Sequence, residues 1–259
     1  MASNWRTYLE FATETAGQAG QLTLGYYQTG IRPEFKADDS PVTIADKRSE
    51  EFIRSRIEAT FPSHAIVGEE FGLKETAGAT FRWIIDPIDG TKSFVRGVPL
   101  YSVLLGLEVE GQPRVGVAYF PALNEMVAAA EGDGCWWNGR PSRVSNRTRL
   151  KDGIVVHANT ATFARYGHGP AWERIQRAAG YCAGWCDSYG YALVATGRAE
   201  LALDPIMAVW DCAALYPIIN EAGGFFGDWQ GNPTIYGKDA IATPTTLLPE
   251  VLALIQNGD

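Results

Sequence analysis

Two carboxylates three residues apart, Asp86 and Asp89, lie in the segment Asp86-Pro87-Ile88-Asp89-Gly90-Thr91, directly after an apolar run that predicts a strand. Mg²⁺ prefers carboxylate oxygens and is usually held by one or two of them together with phosphate oxygens of a substrate. Gly90 lets the backbone turn its N–H groups toward an anion, and a helix beginning after it would add unpaired donors. The segment therefore predicts a magnesium and phosphate site.

Three further acidic positions each have a simple structural interpretation when taken alone. Glu69-Glu70 could lie in a solvated loop after a short strand, Asp46 could supply negative charge where a helix begins, and Asp211 could cap a helix. Taken one at a time, these interpretations are favoured over a role in chemistry.

Taken together with the first segment, the acids resemble the signature of the inositol monophosphatase superfamily of magnesium-dependent phosphatases. That signature is an Asp, a Glu-Glu pair, an Asp-Pro-Ile/Leu-Asp-Gly-Thr segment and a Trp-Asp-x-x-Ala segment, in this order. The matching positions here are Asp46, Glu69-Glu70, Asp86 to Thr91 and Trp210 to Ala214, and the resemblance covers almost the whole chain. It implies an α/β (α+β) fold, the layered αβαβα sandwich of the inositol monophosphatase and fructose-1,6-bisphosphatase type, and hydrolysis of a phosphate monoester.

The resemblance also implies a binding site for two or three Mg²⁺ ions. Glu69, Asp86 and the carbonyl of Ile88 match the ligands of one ion, and Asp86, Asp89 and Asp211 match the ligands of a second. Asp86 is therefore expected to bridge the two ions.

Three residues match the catalytic positions of the family. Thr91 and Asp46 match the pair that orients and deprotonates the attacking water, and Glu70 matches an acid associated with a further, weaker ion. The N–H groups of Gly90 and Thr91 are expected to receive the phosphate. The resemblance implies direct attack by water, with no phospho-enzyme.

The alcohol of the ester is left open by this signature, because phosphatases for inositol, 3′-phosphoadenosine, fructose-bisphosphate and histidinol phosphates share it. Three segments are similar to the histidinol-phosphatases, namely residues 36–46, residues 90–99 and the aspartate-plus-aromatic segment 185–191. They favour histidinol phosphate and a place in histidine biosynthesis. The alternatives are an inositol-1-monophosphatase, a 3′-nucleotidase for 3′-phosphoadenosine 5′-phosphate, and a catalytically silent binding subunit, which is disfavoured because every signature ligand is present.

Candidate substrate contacts follow from the chemistry of histidinol phosphate, which carries an ammonium next to the ester carbon. A carboxylate near this ammonium could form a charge-assisted hydrogen bond, and Asp187 is the candidate. Asp204 matches the position where the family resemblance implies an acidic contact to the leaving alcohol, and it is the second candidate. Trp185 is the candidate neighbour of the imidazole. Asp187 could instead cap the helix predicted at residues 189–197, and Asp204 could begin a turn with Pro205.

Composition limits the other interactions of the chain. The net charge of −8 argues against general affinity for nucleic acid or anionic membranes, and no apolar run approaches the ~18 residues needed to span a bilayer. A cytoplasmic protein acting on a small-molecule phosphate ester is expected, and the family resemblance implies a homodimer.

The four cysteines are too few and too irregularly spaced for a disulfide framework or a zinc ribbon, so reduced thiols are expected.

The elements that must position these residues fall into two groups along the chain. Helical periodicity predicts helices at about residues 4–27 and 44–60, and short apolar runs separated by turns then predict an antiparallel meander. The strands of the meander are expected at 65–67, 83–85, 102–109, 114–119, 125–130 and 134–137. Later strands are expected at 154–157, 199–203 and 240–242, with helices at 171–179, 189–197, 210–222 and 248–256. We therefore predict an N-terminal α+β half, residues 1–148, with most metal ligands, and a C-terminal α/β half, residues 149–259, with Asp211 and the recognition residues.

Overall fold

The computed structural model describes residues 5–37, 41–185 and 187–256. Within these ranges the helices are α1 Arg6–Leu24, α2 Ile44–Thr60, α3 Thr91–Val95, α4 Thr160–Arg165, α5 Gly169–Ala178, α6 Ser188–Ala195, α7 Val209–Ala213, α8 Leu215–Glu221 and α9 Leu248–Gln256. The first ten strands are β1 Glu34–Phe35, β2 Pro41–Val42, β3 Ala65–Gly68, β4 Gly72–Lys74, β5 Phe81–Asp89, β6 Ser102–Val109, β7 Gln112–Phe120, β8 Glu125–Ala130, β9 Gly134–Trp137 and β10 Arg140–Ser142. The remaining strands are β11 Ile154–His157, β12 Tyr181–Ala183, β13 Leu201–Asp204, β14 Gly224–Gly227 and β15 Ala240–Pro244.

An eight-stranded sheet in the order β10-β9-β8-β7-β6-β5-β3-β4 dominates the N-terminal half. Its strands pair antiparallel except for β3, which runs parallel to β5. The prediction of a purely antiparallel meander was therefore wrong at β3. The parallel pairing has a consequence for the site, because both strands then deliver their carboxyl ends, and the acids at those ends, to the same edge of the sheet.

The second sheet contains five strands in the order β12-β11-β13-β15-β14. The strand β11 is parallel to both of its neighbours, whereas β15 is antiparallel to β13 and β14. Strands β12 and β14 were not predicted.

Five layers follow from which side chains pack together, since neighbouring residues on a strand face opposite sides of a sheet. On the large sheet, Ile85 and Leu105 pack against α1 and α2, while Ile84 and Leu104 join a core with α6, α7, α8 and one face of the small sheet. The other face of the small sheet packs against α4, α5 and α9. This arrangement confirms the predicted layered αβαβα sandwich.

Most predicted elements are present with small changes at their ends, and α2, β6, β8, β9, β11 and α9 have the predicted bounds. The first helix ends at Leu24 rather than near residue 27, and its predicted start at Asn4 lies outside the described residues. The helix predicted at 210–222 is divided at Ala214 into α7 and α8. The division at residues 148/149 stays a prediction, because one core contains side chains from both halves.

No helix in the described ranges combines the length and apolarity needed to cross a membrane. Cys135, Cys182 and Cys212 are free thiols, as predicted, and Cys186 lies outside the described residues.

Candidate active site

A cavity of about 640 Å³ lies between the edge of the large sheet and the C-terminal half. Asp86, Asp89 and Asp211 each direct one carboxylate oxygen into the same small volume, and these three oxygens lie within 4.8 Å of one another. We call these three residues the acidic cluster. Six other predicted site residues also line the cavity, namely Glu69, Ile88, Gly90, Thr91, Asp187 and Asp204.

The strand β5 supplies two members of the acidic cluster from its last residues. Residues three apart on a regular strand face opposite sides, but the register of β5 against β6 shifts between Asp86 and Asp89. The irregularity lets both carboxylates face the cavity. Asp86 Oδ1 accepts the N–H of Ile88 at 3.1 Å, and Asp89 Oδ2 accepts the N–H of Ser188 at 2.8 Å. Both acids are thereby oriented by backbone donors.

Asp211 reaches the acidic cluster because α7 and α8 lie unusually close to the large sheet. Gly106 and Gly116 face each other across β6 and β7. A Cβ on Gly106 would lie 2.8 Å from the backbone of α7, and a Cβ on Gly116 would lie 2.0 Å from the carbonyl oxygen of Ala214. Any larger residue would push the helices away. At the start of α7, the N–H of Ala208 donates to Asp211 Oδ2 at 2.7 Å. Ala208 is the N-cap residue, so Asp211 lies in the first turn and binds the cap rather than being the cap itself.

Asp46 and Thr91 are in hydrogen-bond contact, as expected for a pair that acts on one water. Asp46 is fully buried near the start of α2, where the N–H and hydroxyl of Thr43 donate to its Oδ2 at 2.7 and 2.6 Å. Its Oδ1 lies 3.2 Å from Thr91 Oγ1, which is also 3.0 Å from the carbonyl oxygen of Ile88. The structural interpretation of Asp46 as an acid at a helix start is thus correct, and it leaves one carboxylate oxygen for Thr91.

Gly90 lies directly after β5 and in close contact with Asp187 of the C-terminal half. Its φ of 79° lies in the left-handed region, and a Cβ there would lie 2.9 Å from Asp187 Oδ2. Glycine is therefore required both for the turn into α3 and for the approach of Asp187. That the N–H groups of Gly90 and Thr91 receive a phosphate stays a prediction.

Glu69 and Glu70 follow β3, and both form an ion pair with the ammonium of Lys36. Lys36 Nζ lies 2.8 Å from Glu69 Oε1 and 2.8 Å from Glu70 Oε1. The N–H of Glu70 donates to Glu50 Oε2 at 2.7 Å. Glu69 lines the cavity, and the pair is therefore an ordered, partly buried feature rather than the solvated loop that was the structural alternative.

Burial and mutual repulsion raise the pKa values of the site carboxyls. Burial, then the charges of Glu69 and Asp89, raise the pKa of Asp86 well above its usual range, and burial and Asp187 do the same for the pKa of Asp89. Burial raises the pKa of Asp211 to about 6. Burial also raises the pKa of Asp46. So many buried carboxyls at close range are costly unless protons or a cation offset their charge.

The acidic cluster fits a hard divalent cation. Its donors are all carboxylate oxygens, which suit Mg²⁺, and the raised pKa values report a negative potential that a bound cation would relieve. Asp86, Asp89 and Asp211 would hold one such ion. Glu69, Asp86 and the Ile88 carbonyl stay the predicted ligands of a second.

The side of the cavity opposite β5 is built from the C-terminal half. Asp204 ends β13 and is buried, and it accepts a hydrogen bond from the Tyr191 hydroxyl at 3.2 Å. Asp187 lies at the start of α6 with a φ of 56°, an uncommon value for a residue other than glycine. Asn159 and Thr162, at the unpredicted helix α4, complete this side, which we call the recognition wall (Asp187, Asp204, Asn159 and Thr162).

Trp185 does not join the recognition wall in the described part of the chain. Its side chain is 42% exposed, and its ring centroid lies 6.3 Å from that of Tyr181. A role beside an imidazole stays a prediction. Residues 38–40 and Cys186, which belong to the segments similar to histidinol-phosphatases, lie outside the described residues.

The family model described as the inositol monophosphatase family matches residues 4–258. The chain belongs to this family. It is 43% identical over 97% of its length to a histidinol-phosphatase of Chlorobaculum parvum, of which it covers 97%. It is 35% identical to a histidinol-phosphatase of Mycobacterium tuberculosis, covering 96% of this chain and 98% of the relative. Among solved structures, the extragenic suppressor protein suhB of Bartonella henselae superposes with a TM-score of 0.91 at 25% identity, covering 98% of this chain and 100% of the other.

Members of this family are metal-dependent phosphatases, and this chain is accordingly a phosphoric monoester hydrolase. The predicted membership and enzyme class are confirmed.

Several residues around the site were not predicted. Ser49 and Glu50 contact the backbone beside the metal ligands, and Tyr191, Asn159 and Thr162 build the recognition wall. A signal for the first two exists in the sequence, since they lie three and four residues after Asp46 and share its helix face with Ile53 and Ile57. Polar residues in an otherwise apolar stripe indicate a buried polar function. The residues of the recognition wall have no such periodic signal.

Proposed function

We propose that the protein hydrolyses histidinol phosphate to histidinol and phosphate, with Mg²⁺ bound by the predicted acidic ligands. The observation that carries the choice of substrate is the recognition wall, where Asp187 and Asp204 both line the cavity opposite β5. An ammonium beside the ester carbon would form charge-assisted hydrogen bonds with such carboxylates. An inositol ring offers only neutral hydroxyls, whose hydrogen bonds to these carboxylates would be weaker than those of an ammonium. The two relatives named histidinol-phosphatase support the same substrate.

The contacts of Asp46 and Thr91 support direct attack by water. Thr91 Oγ1 can donate to Asp46 Oδ1 and accept a hydrogen bond from the water, so the proton released on attack has a path to Asp46. Burial raises the pKa of Asp46, which makes it a stronger base than an ordinary aspartate. Mg²⁺, when bound, offsets the charge on the transferred phosphoryl group and makes the water easier to deprotonate.

The remaining steps concern the ester itself. The water oxygen forms a bond to phosphorus while the bond between phosphorus and the histidinol oxygen breaks, and the alcohol takes up one proton as it leaves. The N–H groups of Gly90 and Thr91 hold the phosphate oxygens in this proposal. Asp187 and Asp204 hold the ammonium, and they thereby orient the leaving oxygen away from the attacking water.

The test is turnover on a panel of histidinol phosphate, inositol 1-phosphate and 3′-phosphoadenosine 5′-phosphate, in Mg²⁺ buffer and in EDTA. We expect Mg²⁺-dependent hydrolysis with kcat/KM for histidinol phosphate at least about 10-fold above the others, since each charged hydrogen bond contributes about 1.5–3 kcal/mol. A higher kcat/KM for inositol 1-phosphate or for the nucleotide would assign the protein to that substrate instead. Absence of turnover on all three would favour the silent binding subunit.

A further inference from the structure

Helix α2 carries three polar side chains on its buried face, and each contacts a different part of the site. Asp46, Ser49 and Glu50 are all fully buried. Asp46 contacts Thr91, and the Ser49 hydroxyl donates to the carbonyl oxygen of Pro87 at 3.2 Å. The third member, Glu50, has no place in the chemistry described above. A fully buried glutamate is rare unless it is paired, so its contacts require an explanation.

The Glu50 carboxylate binds the backbone of the turn that carries Glu69 and Glu70. Its Oε2 accepts the N–H of Glu70 at 2.7 Å, and its Oε1 accepts the N–H of Phe71 at 3.2 Å. Arg54, one helical turn later, donates its Nε to Glu50 Oε1 at 2.7 Å. The guanidinium of Arg54 also donates to the carbonyl oxygen of Gly72 in the same turn. Glu50 and Arg54 together therefore bind two N–H groups and one carbonyl group of the segment that joins β3 to β4.

Gly68 provides the space for this contact. A Cβ at Gly68 would lie 2.0 Å from Glu50 Oε1 and 2.4 Å from its carboxyl carbon. The backbone of Gly68 does not have a positive φ, so glycine is required here by the carboxylate and not by the turn. The last residue of β3 and the buried acid of α2 thus fit one another.

Packing alone does not account for Glu50. A buried ion pair is no more stabilising than apolar side chains of similar volume, because both charges must be desolvated. An apolar residue would fill this position but would leave the N–H groups of Glu70 and Phe71 without the acceptor they have here. What the carboxylate adds is the orientation of the turn, and that turn begins with Glu69, which lines the cavity beside Asp86.

We propose that Glu50 is a positioning residue that fixes the turn after β3, so that Glu69 and Glu70 are held in place for a divalent cation. This inference rests on the proposed metal-dependent function. Residues that orient metal ligands typically change metal affinity or activity about 10- to 100-fold when they are replaced. The effect of Glu50 is expected on metal affinity, because Glu50 contacts neither the substrate cavity nor the acidic cluster.

Three variants separate this role from a general loss of stability. Glu50→Gln removes the charge and one strong acceptor. Gly68→Ala keeps every charge but displaces the carboxylate of Glu50. Glu51→Gln is the matched control, since Glu51 is the next residue on α2, is about half exposed and pairs with Arg48 at the surface. Circular dichroism and thermal unfolding establish that each variant is folded before it is compared.

Two measurements other than turnover test this role: hydrogen exchange reports the order of the turn, and calorimetry reports the metal affinity. Hydrogen exchange of the metal-free protein reports the N–H groups of Glu70 and Phe71, which we expect to be protected in the wild type and in Glu51→Gln and to exchange at least about 10-fold faster in Glu50→Gln and Gly68→Ala. Calorimetric titration with Mg²⁺ or Mn²⁺ should show about 10-fold or greater weakening in the same two variants. Turnover should show a higher Mg²⁺ requirement while kcat at saturating Mg²⁺ changes much less.

The outcomes distinguish this proposal from the proposed function. Wild-type metal affinity in folded Glu50→Gln, or rapid exchange of the Glu70 and Phe71 N–H groups in the wild type, would overturn the role of Glu50 while leaving the phosphatase intact. Weaker binding in Glu50→Gln with no change in Gly68→Ala would show that the charge of Glu50 acts and its position does not. A wild-type protein that neither binds Mg²⁺ nor turns over a phosphate ester would instead overturn the proposed function.

Discussion

The acidic cluster and the recognition wall lie on opposite sides of one cavity and are built differently. Each member of the acidic cluster is held by a backbone N–H at 2.7 to 3.1 Å, and two of the three come from the end of a single strand. The recognition wall takes its residues from separate elements, α4, α6 and β13, and one of them, Asp187, has a positive φ. The cluster is therefore centred on one strand end and held by backbone donors, whereas the wall is assembled from three separate segments.

This difference suggests how the family retains one reaction with several substrates. A cluster whose carboxylates are held by backbone N–H groups cannot change without loss of the proposed metal site, but the side chains of the wall can change one by one. We expect substitutions in the cluster to affect every substrate equally, and substitutions in the wall to affect substrates according to their leaving group.

The largest effect is expected for Asp89→Asn. Loss of one metal ligand should lower kcat/KM by about 1,000-fold or more on histidinol phosphate and on p-nitrophenyl phosphate alike, since metal stabilisation of the transition state contributes several kcal/mol. The asparagine oxygen can still accept the N–H of Ser188, so the variant should fold. Steady-state kinetics in Mg²⁺ buffer measure the loss. Turnover close to that of the wild type would show that Asp89 is not a metal ligand.

A smaller loss is expected when the water-orienting hydroxyl is removed. Thr91→Val keeps the shape of the side chain but cannot link Asp46 to a water, and general base catalysis of this kind contributes about 10²- to 10⁴-fold. We expect kcat to fall by about 100-fold with KM nearly unchanged, while Thr91→Ser retains most activity. Equal losses in both variants would indicate that Thr91 acts through packing in α3.

The recognition wall is tested by Asp187→Ala. Removal of a charge-assisted hydrogen bond should lower kcat/KM for histidinol phosphate by about 10- to 100-fold and that for p-nitrophenyl phosphate by less than about threefold. Comparison of the two substrates on the same preparation is the measurement. An equal loss of kcat/KM on the two substrates would show that Asp187 acts in the reaction common to both, as the acidic cluster does. That result would contradict the distinction between the recognition wall and the acidic cluster.

The smallest effect concerns the stability of the metal-free protein. Burial raises the pKa of Asp211 from its usual 3.8 to about 6, so between these values the folded protein binds more protons than the unfolded chain. The free energy of unfolding should therefore fall as pH rises from about 4 to above 6, and Mg²⁺ should restore it. Each kcal/mol of change in the free energy of unfolding shifts Tm by roughly 2–4 °C in a chain of this size.

Thermal unfolding in EDTA measures this slope, and Asp211→Asn supplies the comparison. Burial lowers the pKa values of His64 and His157, which opposes the slope in acid, but this contribution is common to both proteins and cancels. We expect the advantage of the wild type over Asp211→Asn to shrink by several degrees between pH 4.5 and 7. An unchanged difference would show that burial does not raise the pKa of Asp211 in the folded protein.

Much of the fold could be predicted because apolar periodicity is a local property. The helix α2 and the strands β6 and β8 have the predicted bounds, since each presents one clearly apolar face. Some short elements were missed, because α4 has six residues and β12 has three, which is too few to show a clear apolar period. The break at Ala214 was missed although the sequence carries a signal for it, since Pro217 has no N–H to donate to the carbonyl of Ala213, the last residue of α7.

The sequence by itself determined the family, the layered fold and the type of reaction, because metal ligands must occur as particular residues at particular spacings. Only the tertiary structure decided how Glu50 reaches the turn of Glu69, how Lys36 joins Glu69 to Glu70, and which residues line the cavity opposite β5. These contacts join residues that are 20 or more positions apart in the chain. No local pattern specifies them, since they exist only once the sheet edge and α2 have packed against one another.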